Sequence, residues 1–574
     1  MNAALEKRTT QIRRVRSLIC ILVAIATGAT TAGSDPEPAD LSTAATNPGW
    51  SNEDLGSVGA MGSSTQTTNP DGTVTFTVKG SGADIWGSAD AFQFDYQSLT
   101  GNGTITARVA SQTFTDAWAK AGVMIREKLD PSSTHAMVAA TPSNGIVFLR
   151  RAATDGQTVR TSGPLTTTPY WVRLTRSGST FSAYASADGT TWTLVGQDTI
   201  SMAATVFVGL AVTSHHAGTL STVTFDHVVS PSSTITGVTF DFASHLRMAQ
   251  GSDNWPTTWS NDNNQYSMWG DGDGFGAAAT GQNTTMTSLG VALIAGDSGS
   301  YTGTNVYGGL NPQCPAPLQD MIQGKSHGAP LSLGGVLYAW ITPGSGPSGY
   351  QSFSLYKSLD KACHWTRLGV TFDRVTYSIS FGGFVQFGKD NGSAIDGYVY
   401  TVATAVSDPS DLNHVQLPGN VMLLRVPAAS IEIKSAYEFF AGLESGQPTW
   451  STDVSKAKAA YQEPDQHGVG PFAQMSYVPD LGRFVYTNQH GNGIDASGSQ
   501  SLLTMAAAPR PWGPWTIFYH DLFQETPQTL FQWNFAPKWF REGGLRFTLI
   551  FTGVGPAINN DSWNTVDGAF IISP

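Results

Sequence analysis

Two aspartates could carry bond-cleaving chemistry. Asp253 lies in Ser252-Asp-Asn-Trp255 and Asp271 in Trp269-Gly-Asp-Gly-Asp-Gly274. Splitting an acetal linkage ordinarily takes one carboxyl that gives a proton and a second that acts as base or nucleophile. Asp253 and Asp271 are the leading pair, although each also suits a turn in which an Asp side chain caps backbone N–H groups. A different reaction is written in Lys325-Ser-His327, His467 and Lys538. There a histidine takes a proton beside a carboxylate, and a lysine offsets the charge that develops, giving β-elimination. Asn254, Trp255, Gln474 and Asn534 supply polar or stacking groups for a substrate. Glu463 and Glu525 are spare carboxyls that read as solvated loop residues. There is no Gly-x-Ser-x-Gly elbow and no phosphate-cradling loop, so serine-nucleophile and nucleotide chemistry find no support. No cofactor is required by this set. The Asp/Gly stretch from Asp271 leaves calcium open, but the full twelve-residue calcium loop is absent.

These residues share a position in a repeat. An aromatic-rich strand recurs at Gln265–Trp269, Val336–Trp340, Tyr398–Val402, Arg483–Thr487 and Leu545–Leu549, mostly after a glycine turn. Four steps span the 280 residues from Gln265 to Leu545, a mean period of 70. Strands, hairpin turns and little helical periodicity at that spacing predict a five-bladed β-propeller. In such a ring one strand of each blade lines a central funnel. The residues just upstream of each aromatic strand then converge: Asp253 to Trp255, Lys325 to His327, Gln386 or Lys389, His467 with Gln474, and Asn534 with Lys538.

Ahead of the repeat, short alternating segments such as Thr73–Val78, Gly103–Val109, Trp171–Thr175, Phe181–Tyr184 and Val206–Leu210 predict antiparallel strands of a β-sandwich. The fold class is therefore all-β, a jelly-roll sandwich followed by a propeller. Arg13, Arg14 and Arg16 precede an apolar run from Ser17 to Ala26 and then small residues, the order of an export signal. The expected organisation is a signal peptide over 1–32, a flexible lead-in over 33–47, the sandwich over 48–229, a Ser/Pro linker over 230–235 and the propeller over 236–574. The expected location is extracellular, as a monomer without a membrane anchor. Charged residues make up 13% of the chain, against about 25% in ordinary soluble domains. The net charge of −12 argues against a nucleic-acid partner. Cys314 and Cys363 remain once the signal is removed, and their pairing is left open.

Two resemblances follow from quoted motifs. Asp84-Ile-Trp-Gly87, Asp90-Ala-Phe92 and Trp118-Ala-Lys-Ala-Gly-Val-Met-Ile-Arg126 resemble the concanavalin-A-like jelly rolls appended to secreted carbohydrate-active enzymes. Trp86 and Trp118 could stack on sugar rings there, or serve as core. The second region resembles a secreted five-bladed propeller family that includes endo-D-arabinanases. The likeness is carried by Ser252–Trp255, Gly270-Asp-Gly272, Gly324-Lys-Ser-His-Gly328, Arg425-Val-Pro427, Tyr437-Glu-Phe-Phe440, Ala508–Trp515 and Pro537-Lys-Trp539. That family's catalytic Asp matches Asp253. Its Gly-Asp-Thr ending is Gly-Asp-Gly here, and its Thr-Asp-Leu-Gly entry is Ser-Asp-Asn-Trp. The Asp-Asn-Trp entry with Lys-Ser-His is also similar to propeller lyases acting on rhamnose–glucuronate linkages. The resemblances imply an extracellular polysaccharide as partner and glycoside hydrolysis as activity, with a lyase or a non-catalytic sugar-binding protein as alternatives.

Overall fold

The computed structural model describes residues 50–69, 74–276, 287–314, 324–325, 328–342, 351–407, 418–464, 473–490, 502–523, 530–553 and 561–573. His327, His467 and Glu525 lie outside them, as do the signal and the lead-in.

The first region is two seven-stranded antiparallel sheets. One runs, in spatial order, through 51–55, 92–100, 205–213, 120–126, 135–141, 145–151 and 159–162. The other runs through 193–199, 180–186, 170–177, 103–112, 216–229, 74–82 and 63–68. Phe76, Val78, Ile105, Val123, Ile125, Val172, Phe181, Leu210 and Phe225 fill the space between them. Strands 120–126 and 135–141 are buried at every residue. Their outward faces meet a second apolar layer built from Ile85, Phe92, Phe94, Met124 and Met137, which is why these strands lack the polar alternation of their neighbours.

The second region is a ring of five blades. From the axis outwards, blade 1 pairs 257–259, 265–272, 287–295 and 302–307. Blade 2 pairs 331–333, 336–341, 352–358 and 366–373. Blade 3 pairs 379–384, 398–405, 420–427, 438–444 and 447–451, and 459–462 also joins 420–427. Blade 4 pairs 474–478, 483–490, 502–508 and 516–522. Blade 5 pairs 530–535, 546–553 and 563–573, and its outermost strand is 234–248, from the start of the ring. The chain thus closes the ring by pairing its two ends.

Each aromatic-rich repeat strand is the second strand of its blade. The reason lies in how blades stack. Leu337, Ala339 and Ile341 face Tyr266, Met268 and Leu289 of blade 1, while Tyr338 and Trp340 face Phe381, Phe384 and Phe439 of blade 3. A second strand is buried on both faces and so reads as an apolar run. Five apolar clusters, one between each adjacent pair of blades, hold the ring together. A fully buried large side chain contributes roughly 2–3 kcal/mol in such a cluster.

The stretch read as a linker is fastened at both ends. Val229 and Ile235 belong to the apolar cluster between blades 4 and 5. Arg483 donates to the carbonyls of Pro231, at 2.8 Å, and Ser233. Arg173 pairs with Asp480 at 2.9 Å, and the Gly543 N–H donates to the Gly189 carbonyl at 3.2 Å. The sandwich is docked on blades 4 and 5, not tethered. Cys314, after blade 1, and Cys363, in blade 2, form a disulfide.

Candidate active site

The innermost strands begin at one end of the ring, and the acidic residues gather there. Asp253 sits just before the first innermost strand and pairs with Gly270 through two backbone hydrogen bonds of 2.9 and 2.7 Å. Lys325 holds the equivalent place in blade 2, paired with Thr342 at 3.1 and 3.0 Å. Blade geometry therefore puts an acid and a base side by side at the mouth of the funnel. Asp271, near the end of the second strand of blade 1, forms an ion pair with Lys325. The glycines around it are needed for the approach. A Cβ at 270 would lie 2.6 Å from Asp253 Oδ1, and one at 272, where φ is +140°, would lie 2.2 Å from the Gly251 carbonyl oxygen. The Gly-Asp-Gly spelling, a departure from the Gly-Asp-Thr of the resembled family, thus has a local steric cause.

A third carboxyl joins them. Asp561 comes from the connection that enters the third strand of blade 5, and its carbonyl accepts from the Gly251 N–H at 2.7 Å. Asp253-Asn-Trp255 and Asp561-Ser-Trp563 are the same Asp-x-Trp spelling. The two indoles meet edge to face at 5.5 Å, both fully buried. With Trp269 they form the floor beneath the carboxyls, and Trp539, whose indole donates to the Gly296 carbonyl at 3.3 Å, extends the cluster toward the other end of the ring. That echo is the sequence signal for Asp561, which precedes the third strand of its blade and so falls outside the positions upstream of the second strands.

Asp253 is half-buried as a residue, yet its Oδ1 is enclosed and has no hydrogen-bond partner among the described residues. Burial first, and then Asp561 and Asp271, push its pKa up to about 8, against the pull of Lys325 and Asn254. Asp561 is raised as well, by burial and then by Asp271, with Lys325 opposing. A carboxyl that keeps its proton at neutral pH, beside a carboxylate held by an ammonium group, is an acid–base arrangement.

The other expected residues divide by place. Asn254, left-handed at φ 56°, is buried beside Asp253, and its N–H donates to Thr552 Oγ1 at 3.1 Å. Asn534 donates to the Trp255 carbonyl at 3.1 Å. Gln474 begins the innermost strand of blade 4, and its Oε1 accepts from the Ala329 N–H at 3.4 Å. Three expectations need correction. Trp255 is part of the indole floor, with its Nε1 donating to the Ser252 carbonyl at 3.2 Å, and presents no face to a substrate. Lys538 lies at the opposite end of the ring, after the innermost strand of blade 5. It donates to the Gly296 carbonyl at 2.8 Å and pairs with Asp297 at 3.4 Å. Gln386 ties blades 1, 2 and 3, accepting from Thr258 Oγ1 at 2.6 Å and the Ser332 N–H at 3.0 Å. Glu463 is not solvated: it is 2% exposed, and its Oε2 accepts from Asn488 at 3.3 Å. Among the described residues no group of three or more His, Cys, Asp or Glu could hold a metal ion.

No family model matches the chain, and no curated protein does. Solved structures that resemble it include the catalytic domain of a Coprinopsis cinerea GH62 α-L-arabinofuranosidase. It is 8% identical, with 59% of this chain and 95% of that one covered and a TM-score of 0.32. A Bacteroides thetaiotaomicron endo-arabinase is 11% identical over 59% of this chain and 97% of its own, at a TM-score of 0.32. The carbohydrate-binding module CBM66 of Bacillus subtilis is 14% identical over 32% of this chain and 94% of its own, at a TM-score of 0.21. The fold itself rests on the strand pairing described above.

Proposed function

We propose that the chain is a secreted glycoside hydrolase that cuts an extracellular polysaccharide at the mouth of the propeller. The observation that carries this reading is the enclosed, proton-retaining Asp253 beside the ion-paired Asp271. Asp253 gives its proton to the glycosidic oxygen as the bond from that oxygen to the anomeric carbon breaks. Asp271 takes a proton from the water whose oxygen becomes bonded to that carbon. Lys325 orients Asp271, and Asn254 fixes the backbone next to the acid. Support for a sugar substrate comes from the motif resemblance around Asp253 and Gly270–Gly272. Support for export comes from the Arg-rich, apolar and small-residue order of the N-terminus.

The test is incubation with a panel of polysaccharides, read both by new reducing ends and by ultraviolet absorbance. Reducing ends without absorbance, lost in Asp253→Asn, are the expected result. Absorbance from an unsaturated uronate would replace hydrolysis with β-elimination, with Lys325 as the group that offsets the developing charge. An Asp253→Asn chain that cleaves at the parent rate would end the assignment.

A further inference from the structure

The sandwich carries two ionic clusters that differ in kind. In the first, Asp90 pairs with Arg151 at 2.6 Å and with Arg126 at 3.3 Å, and all three side chains are wholly buried. Both arginines also donate to loop carbonyls, including those of Lys128, Gly156 and Pro131. That cluster is a structural hub. The second gathers three loops at one end of the first sheet and opens to solvent. Asp84 pairs with Lys120 and with His215 Nε2 at 3.2 Å. Asp116 pairs with His215 Nδ1 and His216 Nε2, each at 3.4 Å. The carboxylates and His215 are about a quarter to a third exposed, and His216 is 56% exposed.

Aromatic and apolar groups frame this open cluster. Trp86 lies two residues from Asp84 on a short strand whose intervening Ile85 is buried, so Asp84 and Trp86 share the outer side. Trp86 is 44% exposed and Phe114, two residues before Asp116, 66%. Lys120 donates to the Trp118 carbonyl at 3.2 Å and lies 5.9 Å from the Trp118 ring centre. The exposed guanidinium of Arg160 covers that ring at 4.6 Å. A purely structural ion network gains nothing from exposed rings beside it. Rings bordered by oriented carboxylate and imidazole groups suit a ligand with an apolar face and a hydroxylated edge.

We infer that this end of the sandwich is a second glycan-binding site, separate from the funnel and independent of its chemistry. A sugar ring lies against Trp86, and displaces Arg160 from Trp118. Its hydroxyls bond to Asp84, Asp116 and His216. Asp84 and Asp116 are balanced by Lys120 and Arg160, so the site selects a neutral glycan over a polyanionic one.

Affinity electrophoresis of the full chain carrying Asp253→Asn, which prevents turnover, tests this in gels cast with arabinan, galactan, xylan, mixed-linkage glucan or polygalacturonate. At least one neutral glycan should retard the protein, and polygalacturonate should not. Trp86→Ala and, separately, Asp84→Asn should weaken retardation about tenfold, a loss on the scale of one aromatic stack. Trp86 is exposed, so its removal leaves the fold in place, and circular dichroism verifies this for both variants. Lys325→Ala in the same background reports the funnel alone. Retardation that survives both sandwich variants but falls with Lys325→Ala overturns the second site and leaves the funnel reading standing. Absence of retardation by every glycan, or retardation by polygalacturonate alone, also overturns it.

Discussion

Replacing Asp253 by Asn should make the protein inactive and more stable at once. The amide nearly matches the carboxyl in shape and cannot deliver a proton, so the rate should fall by about 10²–10⁴. The stability effect follows from where the proton sits. In the unfolded chain the carboxyl ionises near 3.8, and in the folded chain only near 8. Below the lower value both states are protonated and the site is neutral to stability. As pH rises between the two values, the unfolded chain sheds a proton that the folded chain keeps, and folding stability declines. Above about 8 the difference is constant. At pH 7 the lost stability is on the order of 4 kcal/mol, from 1.36 kcal/mol per pH unit. The Asn variant does not suffer that decline. Its melting temperature should match the parent near pH 4 and exceed it by a margin that widens to about pH 8. Thermal unfolding monitored by tryptophan fluorescence, in buffers from pH 4 to 9, measures this directly. A margin that stays flat with pH, or an Asn variant less stable than the parent at pH 7, would refute the claim that Asp253 is held protonated by its surroundings.

Asp561→Asn removes the acidic neighbour that raises Asp253 most, so the alkaline limb of the kcat/KM profile should move to lower pH while the acidic limb stays. Gly270→Ala places a methyl group against Asp253 Oδ1. It should cost about 1–3 kcal/mol of stability and most of the activity, as seen by denaturant titration and initial rates. Deleting Met1–Val229 strips Val229 from its cluster, leaves Asp480 without Arg173 and removes the Gly189 carbonyl that accepts from the Gly543 N–H. Turnover of a short soluble oligosaccharide should persist, but the midpoint in urea should fall by the equivalent of about 3–5 kcal/mol.

Much of the ring was legible because blade packing writes itself into sequence. A strand sandwiched between two blades must be apolar on both faces, and Val336-Leu-Tyr-Ala-Trp340 shows this. The period of those strands then gives the blade number. The innermost strands were less visible, because Thr257–Trp259 and Leu331–Leu333 are three residues each and carry no periodicity. Within the candidate site, the shared blade position of Asp253 and Lys325 was legible in the repeat. Trp255 was misplaced because a Trp next to a site residue can point to floor or funnel, and only packing against Trp563 decides. Lys538 was misplaced because it follows its innermost strand, and a residue after that strand emerges at the far end. Asp561 needed a comparison of the two ends of the ring.

That comparison shows how the fold builds the chemistry. Strand 234–248 closes the ring by pairing with strand 563–573, and the last pair in that register is Met248 with Trp563. Asp253 follows Met248 by five residues, and Asp561 precedes Trp563 by two. Asp561 and Asp253, whose proton affinity Asp561 raises, are therefore brought together by the contact that completes the propeller. Burial of Trp255 against Trp563 and the Gly251 to Asp561 hydrogen bond fix the remaining distance. An open ring would leave Asp253 and Asp561 at opposite ends of more than three hundred residues, each solvated and ordinary in acidity. Closure is what desolvates them, and desolvation is the largest cause of both shifts. The sandwich bears on the same event, since its strand 216–229 leads through the anchored Ser230–Ser233 turn into the closing strand. Fixing the start of that strand restrains its register, so the domain far from the acids in sequence helps to set where they meet.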